Sequence, residues 1–389
     1  MKRTLLALIP ALGGALASPA IAATLPSGFT DSIVTTELGI NPTTLAVTPD
    51  GRVLVTTQRG EVRVISGGAL LDTPALSLNV SSNGERGLIG AALDPDFATN
   101  GYVYLHFTAR PAAGTNPSNQ VSRFTMVGDT IDPNSGTLVI QLDELTNGSN
   151  HNGGAIAFGP DGQLYIATGD NSLESVPQNL GSRQGKILRI DPTTGLASSD
   201  NPFVDLQGAA PEVWALGLRN PFKIAFSPDD GRLFINDVGQ NSREEINLGE
   251  AGANYGWPDE EGTSGSPSFV DPIFEYSHSG GACAITGGAF YGSAISFGAS
   301  YAGDYFFADF CNGTIRVLDK ETGEVSDFAS GLGFGLVDIA VGADGELYYV
   351  NTEGWLGVIR GPFSVPEPGV ATLAAAALAI AAALRRRMA

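Results

Sequence analysis

Short runs rich in Val, Ile, Leu, Tyr and Phe, bounded by Gly, Asp and Pro, recur through the middle of the chain. Clear cases run from Arg52 to Thr57, Tyr102 to Phe107, Gln163 to Thr168, Arg232 to Asn236, Tyr305 to Ala308 and Glu346 to Val350. Runs of this length and composition predict strands, and few stretches show the longer period of a helix. A turn element precedes several of them: Thr48-Pro49-Asp50-Gly51, Gly159-Pro160-Asp161-Gly162, Ser227-Pro228-Asp229-Asp230-Gly231 and Ala343-Asp344-Gly345. In each, the aspartate closes the turn through its carboxylate and the glycine takes the positive φ. The Asp-Gly positions fall 111, 69 and 114 residues apart. Two of those gaps are near twice a unit of about 55 residues, of which the body holds about six. The pattern predicts an all-β chain, a six-bladed β-propeller over residues 24–360, with a pair of β-sandwiches as the rival. The insertions from Asn171 to Gly181 and from Thr193 to Glu212 would be loops on its top face, and no Pro/Gly/Ser linker divides the body.

The two ends follow other rules. Residues 1–22 begin with Lys2 and Arg3, continue through an apolar run from Leu5 to Leu16 and finish on Ala20-Ile21-Ala22, the three parts of a secretory signal peptide. Residues 365–389 read Val365-Pro366-Glu367-Pro368, then an Ala/Leu-rich run from Val370 to Leu384, then Arg385-Arg386-Arg387. As a helix that run would reach about 22 Å, short of the roughly 30 Å hydrocarbon core. The arginines would stay on the cytoplasmic face. The segment resembles the PEP-CTERM sorting signal, a hydrophobic, transmembrane-type helix with a basic tail. That resemblance implies export and processing by an exosortase-type enzyme; a plain membrane anchor is the alternative.

The charge balance narrows the choice of partners. Five of the 21 basic and one of the 41 acidic residues lie in the two ends, which leaves 16 basic and 40 acidic residues and a formal charge of −24 in the body. Such a surface repels nucleic acid and anionic lipid. The cysteines are Cys283 and Cys311, an even count that in an exported protein points to a disulfide, with two buried thiols as the alternative.

Histidine is scarce: His106, His151 and His278. His106 sits in a strand-like run and reads as structural. His151 lies in Asn150-His151-Asn152-Gly153-Gly154, a polar loop whose glycines let a ligand approach the backbone. Imidazole in such a loop is a candidate general base. Asp170, in Thr168-Gly169-Asp170-Asn171, is a candidate to orient it, and Arg219, in Leu218-Arg219-Asn220-Pro221, to meet negative charge. Each has a bland reading as a turn residue bonded to backbone. Asp237, Glu244 and Glu245 are candidates for an oxygen-rich calcium site. No glycine-rich dinucleotide fingerprint and no P-loop occurs, which excludes common nicotinamide and nucleotide enzymes.

Several stretches, in order, resemble the glucose/sorbosone dehydrogenase family of soluble PQQ-dependent sugar dehydrogenases. They are Glu85-Arg86-Gly87-Leu88-Ile89-Gly90, Leu93-Asp94-Pro95-Asp96-Phe97, Asn150 to Gly154, Gly159 to Ile166, Gly185 to Asp191, Gly217 to Pro221, Val238 to Asn247 and Asn254-Tyr255-Gly256-Trp257-Pro258. The resemblance implies a six-bladed propeller that oxidises an aldose at C1 to the lactone, with PQQ and Ca²⁺ as cofactors and an external quinone or cytochrome as electron acceptor. It makes His151 the general base, Asp170 its orienting carboxylate, and Arg219 and Asn220 groups that contact the quinone. Gly239 and Gln240 would offer carbonyls to Ca²⁺, and Glu245 and Tyr255 resemble a second, structural calcium site. Glu85 stands at a cofactor-contact position. The family's glucose enzyme holds the PQQ carboxylates with cations from the last blades, whereas residues 260–355 here offer Arg316 and Lys320. Two further functions stay open at this point: a lactone or glycan hydrolase on the same calcium-bearing face, and a carbohydrate-binding or matrix protein without catalysis.

Overall fold

A computed structural model describes residues 23–112, 115–292 and 295–363. The signal peptide and the sorting segment predicted at the two ends lie outside those residues. Among the described residues no helix is long and apolar enough to cross a membrane.

The strands form six antiparallel sheets, each the blade of a propeller. The innermost strands, in blade order, are Pro42–Val47, Leu88–Leu93, Ile156–Phe158, Pro221–Phe226, Ile285–Phe290 and Leu336–Val341. Each blade then steps outward by hairpins. The last blade is completed by Thr30–Thr35, which pairs with Leu356–Arg360 and so joins the chain's two ends in one sheet. Closure removes the free inner edges that an open sheet of this size would expose.

Burial explains why these segments are strands. The second strand of most blades, for example Val53–Thr57, Leu164–Thr168, Leu233–Asp237 and Tyr305–Asp309, is buried at every position. Both faces of these strands meet a neighbouring blade, so they read as unbroken apolar runs rather than alternating ones. The core is correspondingly divided into clusters between blades, such as Tyr291, Phe297, Phe306 and Phe328 between the fifth and the sixth.

The four Asp-Gly turns join first to second strands in blades one, three, four and six, with φ of 83°, 75°, 73° and 78° at Gly51, Gly162, Gly231 and Gly345. The two long gaps in their spacing therefore each span two blades and the short one a single blade. That is the propeller arrangement and not the paired sandwich.

Cys283 and Cys311 form a disulfide, with Cα atoms 5.6 Å apart. It ties the entry to the fifth blade's inner strand to the turn after its second strand, both on the top face. The bridge closes a loop with a sequence separation of 28. Replacing both cysteines by serine is expected to lower stability by about 2 to 4 kcal/mol, since the unfolded chain regains the loop's freedom. A denaturant midpoint unchanged by reduction would contradict this.

Candidate active site

The top face gathers three of the predicted residues. His151 has φ 54°, a left-handed conformation that turns the loop sharply after Asn150. The turn is held by backbone: His151 N–H donates to Glu85 Oε2 at 2.7 Å, and the His151 carbonyl accepts from Asn171 N at 3.1 Å. Gly153 N–H donates to Asn220 Oδ1 at 2.9 Å, and the Gly154 carbonyl meets His106 Nδ1 at 2.9 Å. Gly154 must be glycine, since a Cβ there would lie 2.8 Å from the Ile89 carbonyl oxygen.

Within this frame His151 Nδ1 lies 2.7 Å from Asp170 Oδ1, and Nε2 lies 2.9 Å from Arg219 Nη2. A guanidinium only donates, so Nε2 must carry a lone pair and Nδ1 the proton. The imidazole is thereby fixed in the tautomer a base needs. Asp170 is buried, and Trp257 Nε1–H donates to its other oxygen at 2.9 Å. Arg219 is fixed in turn: Nη1 donates to the carbonyls of Val238 and Gly239, both at 2.9 Å, and Trp257 lies beneath its guanidinium. Arg219 Nε is buried without a partner.

Beside the group opens a cleft of about 260 Å³. Glu85 and Gly153 stand on one wall, Phe310 and Val337 on the other, with Thr43 and Phe222 among the remaining lining. Solvent reaches Glu85, yet the crowding walls raise its carboxyl pKa.

Other predicted residues take separate places. Asn220 is buried and braces the His151 loop through Gly153. The Gly239 carbonyl faces Arg219, whereas Gln240 is exposed and donates its N–H to Glu261 Oε1 at 2.8 Å. Arg316 is not brought to the cleft; it pairs with Asp327 at 3.2 Å and lies over the Tyr276 ring. Tyr255 spends its hydroxyl on the Leu248 carbonyl at 2.7 Å.

The carboxylates suggested as one calcium set diverge. Asp237 accepts from the N–H groups of Arg219 and Asn220 at 2.9 and 2.7 Å. Glu244 meets His278 Nε2 and Ile285 N, both at 2.7 Å. Glu245 accepts from Asn247 and Gly262. Among the described residues no three His, Cys, Asp or Glu side chains converge as a ready metal cluster. Glu245 and Asp237 do line one small space with Glu260, Glu261 and Tyr255. Burial, joined by the charge of Glu245, pushes Asp237 up to about 8, and burial raises Glu245 to about 6.

Three contributors escaped sequence reasoning. Trp257 stands in Asn254-Tyr255-Gly256-Trp257-Pro258, where nothing signals its bond to Asp170. Lys223 and Asp338 pair at 2.6 Å across the axis below the cleft, and nothing in their neighbourhoods singles them out.

The sequence profile of the Glucose / Sorbosone dehydrogenase family matches residues 40–359. The chain belongs to that family. It is 34% identical over 228 residues to the aldose sugar dehydrogenase YliI of Escherichia coli K12, a match covering 56% of this chain and 59% of that protein. The chain thus matches little more than half the length of that curated relative. The soluble aldose sugar dehydrogenase of E. coli, solved in its apo form, superposes with a TM-score of 0.75 at 27% identity over 85% of this chain and 99% of that one. The PQQ-bound aldose sugar dehydrogenase of Streptomyces coelicolor gives 0.71 at 28% identity over 87% and 99%.

His106 gives this family member a predicted acid sensitivity. It is fully buried, and burial lowers its pKa from 6.5 to about 4. The native imidazole therefore stays neutral where the unfolded one is protonated. Stability contributed above about pH 6.5 is lost as pH falls toward 4, to the extent of about 3 kcal/mol. Urea midpoints across that window should fall more steeply in the wild type than in His106→Gln. Parallel curves would remove the assignment.

Proposed function

We propose that this protein oxidises the C1 hydroxyl of an aldose to the lactone, using PQQ and Ca²⁺ and passing electrons to an external quinone or cytochrome. The observation that carries the reading is the fixed imidazole: Asp170 holds its Nδ1–H, which leaves the Nε2 lone pair for a substrate hydroxyl. A sugar hydroxyl would replace Arg219 Nη2 as the donor to that atom. His151 would then accept the proton as the carbon is oxidised, and Asp170 would stabilise the resulting imidazolium.

The unpartnered Arg219 Nε and the apolar part of the cleft lining, Pro42, Ile89, Phe222, Phe310 and Val337, suit an anionic aromatic cofactor. Arg219, Asn220 and Glu85 are the residues that would hold PQQ, which when bound supplies an acceptor for two electrons. Gly239 and Gln240 would offer carbonyls to Ca²⁺. The raised pKa values of Asp237 and Glu245 mark a second place where a cation would relieve repulsion, beside Tyr255. The low number of cations at the cleft favours one competing reading, a carbohydrate binder without catalysis. Export through the N-terminal signal, and exosortase-type processing of the tail, complete the proposal.

Titration with PQQ in the presence of Ca²⁺, followed by dye reduction over a panel of aldoses, tests it. Saturable binding with aldose-dependent dye reduction is expected. Sugar binding without dye reduction would leave the binder.

A further inference from the structure

Lys186 opens the third strand of the third blade, Lys186–Ile190, and is fully buried. Its ammonium spends three protons on three carbonyls, those of Val176, Pro177 and Gln184, each at 2.8 Å. Burial pulls its pKa down to about 7, against the attraction of Asp143. A charge so placed is costly unless every proton finds an acceptor, and here each one does. The segment it binds begins at Asp170. Leu173 N–H donates to the Asp170 carbonyl at 3.0 Å, Val176 to Leu173 at 3.1 Å and Asn179 to Val176 at 3.0 Å, a run of successive turns. Within that run stands Gln178, half-buried. Its Nε2 donates to the Trp257 carbonyl and to Asn254 Oδ1, both at 2.9 Å, and its Oε1 accepts from Asn254 Nδ2 at 2.8 Å. The Pro177 carbonyl held by Lys186 also accepts from Gly217 N–H at 3.2 Å, and the Gly217 carbonyl accepts from Trp257 N–H at 3.0 Å.

We infer that Gln178 is a positioning residue for His151: braced by Lys186, it sets the backbone of Trp257 so that the indole reaches both Asp170 and Arg219. The inference rests on the proposed oxidation by His151. The indole stands at a junction. Its Nε1–H donates to Asp170 Oδ2 at 2.9 Å, and its ring lies 5.7 Å from the guanidinium carbon of Arg219. Those are the two groups that flank the imidazole, at 2.7 and 2.9 Å. The terminal torsion of a carboxylate is soft, so an Asp170 held by one oxygen alone would rock about its bond to His151. The indole bond to the second oxygen removes that freedom. Gln178 itself bonds to Asn254 and Trp257 and stands outside the cleft lining, so its effect on the base passes through the indole. A small misplacement far from the chemistry is enough to slow a reaction that depends on a fixed geometry.

The test compares Gln178→Glu, Gln178→Ala and Trp257→Phe with the wild type, each loaded with PQQ and Ca²⁺. Gln178→Glu keeps the size of the side chain and removes both donors. Each variant is expected to lower kcat by about tenfold and to leave KM within about twofold. Adding Gln178→Ala to Trp257→Phe should cost less than about twofold more, since both act along one route. A second readout needs neither cofactor nor sugar. The chain has three histidines, so magnetic resonance of isotope-labelled imidazole nitrogens resolves each of them. The His151 ring signals should move in both Gln178 variants, while those of His278, bonded to Glu244, stay in place. A lower melting temperature with kcat and the His151 signals unchanged makes Gln178 a scaffold residue and overturns the inference. Losses that multiply in the double variant overturn it too. If the wild type turns over no aldose, the proposed oxidation fails, and the ring signals alone decide the positioning. A shift in both Gln178 variants sustains it, and no shift overturns it.

Discussion

His151→Ala is expected to lower the kcat of aldose oxidation by at least about 10²-fold, the usual worth of a positioned base. Its melting temperature should stay nearly that of the wild type. The contacts that shape the loop run through the His151 backbone, to Glu85 and Asn171, and alanine keeps them. Asp170→Asn should be milder and should fall on kcat more than on KM. The amide still accepts the Nδ1–H, but it has lost the charge that stabilises an imidazolium, and its NH₂ group would face Trp257 Nε1–H, which now donates to the second oxygen. A drop in KM-determined affinity of the same size as the drop in kcat would mean that Asp170 shapes the pocket instead. A His151→Ala protein that turns sugar over at the wild-type rate would remove the base assignment.

The second large effect lies below the site. Lys223, on the fourth blade's inner strand, meets both oxygens of Asp338 on the sixth, at 2.6 and 2.8 Å. Asp338 also accepts from Thr44 Oγ1 at 2.8 Å and Leu45 N at 2.9 Å on the first blade. One buried carboxylate therefore joins three blades across the axis. Lys223→Met strands that charge away from water and is expected to destabilise by roughly 3 to 5 kcal/mol. Adding Asp338→Asn should recover part of the loss, because the amide oxygen can still serve Thr44 and Leu45 without a charge. Denaturant unfolding of the two variants measures both. A Lys223→Met loss below about 1 kcal/mol, the range of exposed pairs, would mean that water reaches Asp338 after all.

The contrast between these two places shows what a sequence displays. His151, Asp170 and Arg219 each lie in a short polar, glycine-bearing turn after an apolar run. Such turns stand out because strand ends on one face of a propeller must be loops. Their mutual approach was a consequence of the fold, which the Asp-Gly turns had already suggested. Lys223 and Asp338 were hidden because each is a single polar residue within an apolar strand, and their pairing depends on three blades converging on one axis. Arg316 is a scarce cation in a late blade. Its position on the third strand of its blade, beside Tyr276 and Asp327, places it away from the cleft. The calcium candidates were neighbours in sequence, yet alternation along Arg243–Gly249 sends Glu244 and Glu245 to opposite faces.

The central claim is that His151, held by Asp170, drives oxidation of an aldose at C1. A single-turnover experiment reaches it without knowledge of the natural acceptor. Protein loaded with PQQ and Ca²⁺ is mixed with excess aldose in the absence of any acceptor, and the cofactor's absorbance is followed while lactone is quantified. The account predicts loss of the oxidised spectrum with one equivalent of lactone per bound cofactor, slowed at least about 10²-fold in His151→Ala. A cofactor that stays oxidised in the presence of bound sugar, or one that is reduced equally fast in His151→Ala, would contradict it.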